Sequence, residues 1–217
     1  MGLPVIIYGK SGSGKSRSLK FFAPDEILYI NVESKALPFR QQFRFVAKTD
    51  NVTQIQGQLA KMSDAKVRTA VIDDAGYIMT HLFMRNHRFM KGGAQFDMYN
   101  EIADSMYNLV KFVKEELPDD NIVYIVMHED TSDMGMTVLK TLGKLLDQKV
   151  CLEGMVTIVI RCMSKDGEHF FRTVTDGNDI TKAPEELFED EQIDNNLKFV
   201  DDKIREFYGI KNNKGDK

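Results

Sequence analysis

The stretch that most constrains the fold is GKSGSGKS, which occupies Gly9–Ser16 near the start of the chain. The apolar run Leu3–Tyr8 before it predicts a buried strand, and Arg17–Phe22 after it predicts the first turns of a helix. In this strand–loop–helix setting the pattern G-x-x-x-x-G-K-[ST] forms a phosphate-binding loop. Its glycines let successive backbone N–H groups point at phosphate oxygens at the positive end of a helix. The chain is therefore predicted to bind a nucleoside triphosphate.

Each position of this loop has a predicted part in holding the nucleotide. Lys15 can reach the β- and γ-phosphates, and the Ser16 hydroxyl can hold Mg²⁺. ATP and Mg²⁺ are therefore the expected cofactors. A Gly- and Ser-rich turn without a ligand is the alternative, but it does not explain why the strand, loop and helix signals follow in this order. The predicted nucleotide contacts are Gly9, Lys10, Ser11, Gly12, Ser13, Gly14, Lys15, Ser16 and Arg17.

The composition is that of a soluble globular protein. The 217 residues are 42% hydrophobic and 29% charged, which suits a single domain with its own core. No apolar run approaches the ~20 residues that are needed to span a bilayer. The two cysteines, Cys151 and Cys162, show neither metal-ligand spacing nor a disulfide framework, so a reduced cytoplasmic compartment is expected.

The charge of the chain, −4 overall, is unevenly distributed. Residues 185–202 contain eight acids and one lysine, a charge of −7, so that the rest of the chain carries +3. A mildly basic body can attract a polyanion, and this balance leaves room for a nucleic-acid partner.

Strand and helix signals alternate along the chain and predict an α/β fold with a mainly parallel sheet and helices on both faces. The predicted strands are 27–32, 69–72 and 122–127, with a candidate edge strand at 43–47 and a hairpin at 155–161 and 169–174. The predicted helices are 51–62, with Asn51 as its cap, 77–84, 95–117, 138–148 and 190–208, and residues 130–137 are expected to form a loop. One domain is expected over 1–210, with a disordered tail at 211–217.

Two aspartates follow the predicted strand 69–72, at the sheet edge where such folds bind ligands. We predict that Asp73 orders the Mg²⁺ ion held by Ser16, the alternative being an ordinary helix-capping aspartate. Asp74 could activate water, hold Mg²⁺ or cap the next helix, and the cap is the favoured interpretation.

Glu33 and His128 complete the predicted catalytic set. Glu33 ends the strand 27–32, where a carboxylate can take a proton from a water aligned on the γ-phosphorus. His128 ends the strand 122–127, where a ring N–H could report the γ-phosphate. The alternatives are a surface glutamate and a structural histidine.

These residues together resemble the core of RecA-type ATPases. The resemblance covers residues 3–184 and is carried by the loop 9–16, the strand 27–33, the strand 69–73 and the polar residue after the fourth strand. More closely, the chain is similar to the minimal RecA-like P-loop proteins of bacteriophages and prophages, which include single-strand DNA annealing and recombination proteins. The resemblance implies an ATPase that binds single-stranded DNA, in the host cytoplasm if the chain is phage-encoded.

The resemblance also implies an assembly. The segment 179–184 is similar to the place where RecA-type proteins supply lysines to the γ-phosphate of a neighbouring subunit, which makes Lys182 a candidate catalytic residue. A homo-oligomer, as a ring or short filament, is then expected, and a single-strand-binding protein is a further candidate partner. One departure from the family is His128, which stands where RecA itself has Gln.

Two loops fall where the family places its DNA-facing segments. Lysine and arginine attract phosphates, and an aromatic ring can stack on bases. The alternative is a solvated basic loop without a ligand. The predicted DNA contacts are Arg85, Arg88, Phe89, Lys91, Lys140 and Lys144.

The expected function is therefore Mg²⁺-dependent ATP hydrolysis coupled to single-stranded DNA binding in phage-type recombination or annealing. Two other classes stay open on the sequence. A P-loop kinase of a small molecule would need an acceptor pocket beside the loop. A nucleotide-gated binding module with little turnover would not need Glu33.

Overall fold

The computed structural model describes residues 1–88, 92, 94–142 and 150–211. Within these residues the strands are β1 Leu3–Gly9, β2 Ile27–Asn31, β3 Phe45–Ala47, β4 Thr69–Asp73, β5 Ile122–Thr131, β6 Thr137–Leu139, β7 Ile158–Lys165, β8 Glu168–Arg172 and β9 Gln192–Asp194. The α-helices are α1 Val52–Ala60, α2 Gly76–Asn86, α3 Ala94–Glu116 and α4 Leu197–Tyr208, and short 3-10 helices span Ser16–Phe21 and Glu153–Met155.

The sheet brings the predicted site residues to one edge. Its strand order is β3–β2–β4–β5–β1–β7–β8–β9, with β6 paired to the outer part of β5. The strands from β3 to β7 in this order run parallel, whereas β6, β8 and β9 are antiparallel to their neighbours. The register places Gly9 opposite His128 and Asn31 opposite Asp73. The phosphate loop and the polar strand ends therefore meet at the carboxyl edge of the sheet.

Side chains alternate between two hydrophobic cores, one on each face of the sheet. In β1, Ile6 and Tyr8 pack with residues of α1, α2 and α3, whereas Val5 and Ile7 pack with the first 3-10 helix and α4. Burial on both faces explains why the central strands are almost continuously apolar. The predicted architecture is confirmed: an α/β protein with a mainly parallel sheet, helices on both faces and a C-terminal hairpin and helix.

The helices on the first face follow the sequence signals closely. The Asn51 side chain accepts a hydrogen bond from the Gln54 N–H at 3.0 Å and caps α1 as predicted. The helix predicted after the phosphate loop is instead the short 3-10 helix Ser16–Phe21. Pro24 follows soon after it and disfavours a helical conformation at Ala23, so the helix cannot continue.

The region after β5 was wrongly predicted. β5 continues through His128 to Thr131 and forms a hairpin with β6, where a loop over 130–137 and a helix from Val138 were expected. Gly135, at a φ of +80°, provides the left-handed turn residue, and the β-branched residues of β6 favour a strand. The rest of the predicted helix, from 143 to 148, lies outside the described residues.

The C-terminal helix is shorter than predicted, because β9 occupies 192–194 and pairs with β8. The Asn196 side chain accepts a hydrogen bond from the Phe199 N–H at 3.0 Å, which fixes the start of α4, and Gly209 ends it. Residues 212–217 of the predicted tail lie outside the described part of the chain. Among the described helices, none has the length and apolarity to cross a membrane.

A buried ion pair in α4 ties this helix to the sheet. Arg205 donates through Nε to Asp201 Oδ2 at 2.9 Å, and both residues are almost fully buried. Thr69 Oγ1 and Tyr124 OH also donate to Asp201, each at 3.1 Å. Arg205 further donates to the Asp120 carbonyl at 3.0 Å. The pair thus fixes α4 against the start of β4, the strand that ends at the candidate site.

Candidate functional site

The phosphate loop joins β1 to the first 3-10 helix and is shaped by its glycines. Gly12 and Gly14 have φ values of +79° and +102°, which side chains rarely adopt. A Cβ atom on Gly14 would lie 2.9 Å from the His169 ring, and one on Gly9 would lie 2.2 Å from the Cys162 carbonyl oxygen. The loop therefore rests closely against β7 and β8, and the motif needs glycine at these positions.

Lys15 lies buried within the loop. Its Nζ donates hydrogen bonds to the carbonyl oxygens of Gly9, at 2.9 Å, and Lys10, at 2.8 Å. Burial lowers the pKa of Lys15, although nearby acidic groups oppose this shift. The lysine that is predicted to reach the phosphates is thus held by neutral carbonyl groups, which an anionic phosphate oxygen can replace as partners.

Ser16 and Asp73 come together as the sequence predicted. Ser16 Oγ donates to Asp73 Oδ1 at 3.1 Å, and Tyr29 OH donates to Asp73 Oδ2 at 3.0 Å. Burial raises the pKa of Asp73, and the charge of Asp74 raises it further. Tyr29 was missed by sequence reasoning, because only the pairing of β2 with β4 brings it beside Asp73.

This oxygen-rich pair suits Mg²⁺, which is usually bound by one or two protein oxygens together with phosphate oxygens and water. Ser16 would contact the ion, and Asp73 would orient that hydroxyl or a bound water. Among the described residues, no group of three or more His, Cys, Asp and Glu side chains could hold a metal ion. The residues present therefore fit a magnesium ion that arrives with nucleotide phosphates.

Asp74 does not cap α2, contrary to the favoured interpretation. The helix begins at Gly76, and among the described residues no side chain caps its start. Instead, the Asp74 carboxylate lies 2.8 Å from Lys35 Nζ and 3.2 Å from His128 Nε2. Burial would raise the pKa of Asp74, but the contacts with His128 and Lys35 outweigh it and lower the pKa to about 2. A φ of +59° turns the side chain toward these partners.

His128 connects the phosphate loop with Asp74. Its Nδ1 lies 3.5 Å from Lys15 Nζ. Because an ammonium can only donate, Nδ1 accepts and the proton of a neutral ring is on Nε2. The buried Nε2 atom is close to Asp74 but lacks the alignment of a hydrogen bond. The ring thus lies between the loop lysine and Asp74, and its role toward the γ-phosphate stays a prediction.

Glu33 follows β2 by two residues, beside Asp73 at the same edge. Its Oε1 lies 2.7 Å from His81 Nε2, and its Oε2 lies 3.9 Å from Lys35 Nζ. No sequence signal pointed to His81 or Lys35. His81 becomes a partner of Glu33 only because α2 packs beside the end of β2, whereas Lys35 follows Glu33 by two residues in the same segment.

A cavity of about 570 Å³ opens in front of the loop, a size typical of ligand pockets. Among the described residues, Asp74 is the one carboxylate that lines it. Ala36, Pro38 and Phe39 contribute apolar lining to this cavity. Its lining residues are Ser11, Gly12, Gly14, Lys15, Ser16, Arg17, Lys20, Lys35, Ala36, Pro38, Phe39, Asp74, His128 and His169.

Arg17 and Lys182 are the other predicted site residues. Arg17 Nη1 donates to Asn195 Oδ1 at 3.1 Å and lines the cavity. Lys182 bridges by its backbone to Val159 in β7, and its predicted contact with a neighbouring subunit stays a prediction.

The predicted DNA contacts are only partly within the described residues. Arg85 lies in the last turn of α2 and its Nη1 lies 2.5 Å from Asp50 Oδ2, so this arginine already has an anionic partner. Arg88 and Lys140 are exposed. Phe89, Lys91 and Lys144 lie outside the described residues.

Comparison with known proteins finds similarity in structure but not in sequence. Neither a protein-family model nor a curated protein sequence matches the chain. Among solved structures, a KaiC-like protein from the hyperthermophilic archaeon Pyrococcus horikoshii is similar, with a TM-score of 0.45 and 13% sequence identity over 79% of this chain and 77% of that protein. The fold assignment depends on the strand order and phosphate loop of this chain itself.

Proposed function

We propose that the protein binds ATP with Mg²⁺ at the phosphate loop and hydrolyses it. The observation that carries the proposal is the hydrogen bond of 3.1 Å between Ser16 and Asp73, which joins the end of the loop to the end of β4. This pair and the buried Lys15 supply the three groups that P-loop proteins use on the phosphates and the metal.

We assign to the residues around the loop the roles that ATP hydrolysis needs. Lys15 binds the β- and γ-phosphate oxygens, and His128 donates its Nε2 proton toward the γ-phosphate. Glu33 accepts a proton from the attacking water. The water oxygen bonds to the γ-phosphorus as the bridging P–O bond breaks, which releases ADP and phosphate. When bound, Mg²⁺ would neutralise part of the phosphate charge.

We further propose that hydrolysis is coupled to single-stranded DNA in phage-type recombination or annealing, in a host cytoplasm. Two exposed basic residues, Arg88 and Lys140, support this proposal. Lys140 lies next to the carboxyl edge of the sheet, because its backbone N–H donates a hydrogen bond to the His128 carbonyl oxygen at 2.8 Å. A homo-oligomer would let Lys182 reach the phosphates of a neighbour, and a single-strand-binding protein is the further partner that the resemblance implies.

The test is the ATPase rate of the purified protein with and without single-stranded DNA. The proposal predicts phosphate release that needs Mg²⁺ and rises with DNA. Arg88→Ala with Lys140→Ala should weaken DNA binding and flatten the log–log salt slope by about 1.4, at ~0.7 for each single-strand phosphate contact. The exposed Lys61 provides the control, since Lys61→Ala should leave this slope unchanged. An unchanged slope in the double variant would contradict the DNA surface.

A second candidate, a small-molecule kinase, is favoured by a cavity of about 410 Å³ beside the loop. Lys10, Lys35, Tyr77, His128 and Lys140 line this second cavity, which could receive an anionic phosphate acceptor. The same assay decides between the two functions. Phosphate release from ATP without any added acceptor supports a hydrolase, whereas turnover that depends on a small molecule supports a kinase.

A further inference from the structure

The ring of His81 lies between two carboxylates. Its Nε2 is 2.7 Å from Glu33 Oε1, and its Nδ1 is 2.8 Å from Asp50 Oδ2. The contact of Nδ1 with Asp50 is a hydrogen bond, and Nε2 approaches Glu33 within ion-pair distance. The side chains of Glu33 and Asp50 are 19% and 24% exposed, which limits the competition from water.

The two contacts of His81 belong to a row of four side chains in which acidic and basic groups alternate. Arg85 Nη1 approaches Asp50 Oδ2 at 2.5 Å, so the row runs from Glu33 through His81 and Asp50 to Arg85. The groups come from three segments: the end of β2, the turn before α1, and α2. Because each of the two inner groups has a partner on both sides, the row fixes the His81 ring in one orientation.

The two oxygens of Glu33 consequently have different surroundings. His81 occupies Oε1, whereas Oε2 faces Lys35 at 3.9 Å. Lys35 also lines the cavity in front of the phosphate loop. A carboxylate that is held through one oxygen presents the other in a defined direction, and general-base catalysis depends strongly on that direction.

We propose that His81 is a positioning residue, which holds Glu33 through Oε1 so that Oε2 takes the proton from the attacking water. The inference depends on the proposed function, in which Glu33 is the general base. Asp50 and Arg85 act behind His81, because Asp50 holds its Nδ1 and Arg85 holds Asp50.

Two substitutions of His81 separate its contacts. The amide nitrogen of Gln in His81→Gln reaches the position of the ring Nε2 and can still donate to Glu33. The shorter side chain in His81→Asn reaches only the Asp50 side. His81→Asn should lower kcat by up to about 10²-fold, the scale for a misplaced catalytic group, with KM for ATP unchanged. His81→Gln should retain most of the activity. His87→Asn is the control, since this partly exposed histidine is the C-cap of the same helix.

A double-mutant cycle tests whether His81 acts through Glu33. Single-turnover hydrolysis should be as slow in Glu33→Gln with His81→Asn as in Glu33→Gln alone. If the rate losses of the two single variants multiply in the double variant, the proposal is overturned. Turnover at the wild-type rate in His81→Asn would also overturn it. Equal losses of activity in the Gln and Asn variants, with equal losses in melting temperature, would also overturn it, because that result indicates a structural role.

A measurement without ATP tests the contact itself. Nitrogen-15 spectra of the imidazole rings should show that the Nε2 signal of His81 changes in Glu33→Ala, which removes the partner of this nitrogen. An Nε2 signal that does not change in Glu33→Ala would contradict the contact even if the protein hydrolyses ATP. If the wild type shows no hydrolysis with or without DNA, the proposed function and the role of His81 both fail, whereas the spectra still report the contact.

Discussion

Glu33→Gln separates proton acceptance from shape at the candidate site. The glutamine oxygen can still accept a hydrogen bond from His81, which lies 2.7 Å from the native carboxylate, so the surroundings are retained. The substituted side chain cannot take a proton from water. Loss of a general base should lower kcat by about 10²–10⁴-fold, which is roughly 3–5 kcal/mol of activation free energy. KM and the affinity for a non-hydrolysable analogue should not change.

Asp74→Asn is the matched control for Glu33→Gln, because Asp74 is, in the described part of the chain, the carboxylate that lines the cavity in front of the loop. Its contacts, at 2.8 Å to Lys35 and 3.2 Å to His128, leave it a weak base with a pKa of about 2. The ion pair with the half-exposed Lys35 should contribute only ~0–1 kcal/mol. We therefore expect Asp74→Asn to lower kcat by less than about tenfold.

Single-turnover hydrolysis of ATP, followed by release of labelled γ-phosphate, measures both variants under the same conditions. The reasoning is refuted if Asp74→Asn binds ATP without hydrolysing it while Glu33→Gln hydrolyses at the wild-type rate. The base would then follow β4 directly, and the roles assigned to Glu33 and His81 would both be wrong.

Two further predictions concern buried groups. Arg205→Met should lower the free energy of unfolding in urea by about 3–5 kcal/mol, because it leaves the buried Asp201 carboxylate without its cation. Lys203→Met, on the same helix, should cost less than about 1 kcal/mol, and equal losses in the two variants would contradict the role of the buried pair. Alkylation of the native protein at pH 8 should modify the exposed Cys151 and spare Cys162. Burial raises the pKa of the Cys162 thiol to about 11, so it stays protonated at this pH, and equal labelling rates would contradict its placement under the loop.

The central part of the fold could be predicted because its signals are local. The phosphate loop has a fixed pattern, and the strands β1, β2, β4 and β5 are apolar runs long enough to be buried on both faces. Asp73 could be placed beside Ser16 because strands of a parallel sheet end at one edge. Asn51 was recognisable as a helix cap from its position before an amphipathic run.

The errors arose where tertiary contacts decide the outcome. Asp74 has the chemistry of a cap, but its backbone conformation directs the side chain to Lys35 and His128. The hairpin of β5 and β6 depends on pairing across a turn, and a short apolar segment such as Val138–Leu142 fits a helix or a strand by periodicity alone.

The partners of the candidate base could not be found from spacing. Asp50 and His81 are far apart in sequence and meet only when α2 packs beside the turn before α1. In α4, Asp201 appeared as one acid in a charged segment, although it is buried with Arg205. Single charged residues carry no sequence signal that distinguishes a buried pair from a solvated face.

Calorimetric titration of ATP into the wild-type protein and Lys15→Ala, with and without Mg²⁺, tests the central claim most directly. The Nζ atom of Lys15 lies at the phosphate loop, 2.9 Å from the Gly9 carbonyl oxygen, and the alanine variant keeps the N–H groups of the loop but loses this cation. We predict binding to the wild type that is stronger with Mg²⁺, and no measurable binding to a folded Lys15→Ala protein. Equal affinity in the two proteins would contradict the claim that this loop holds the triphosphate.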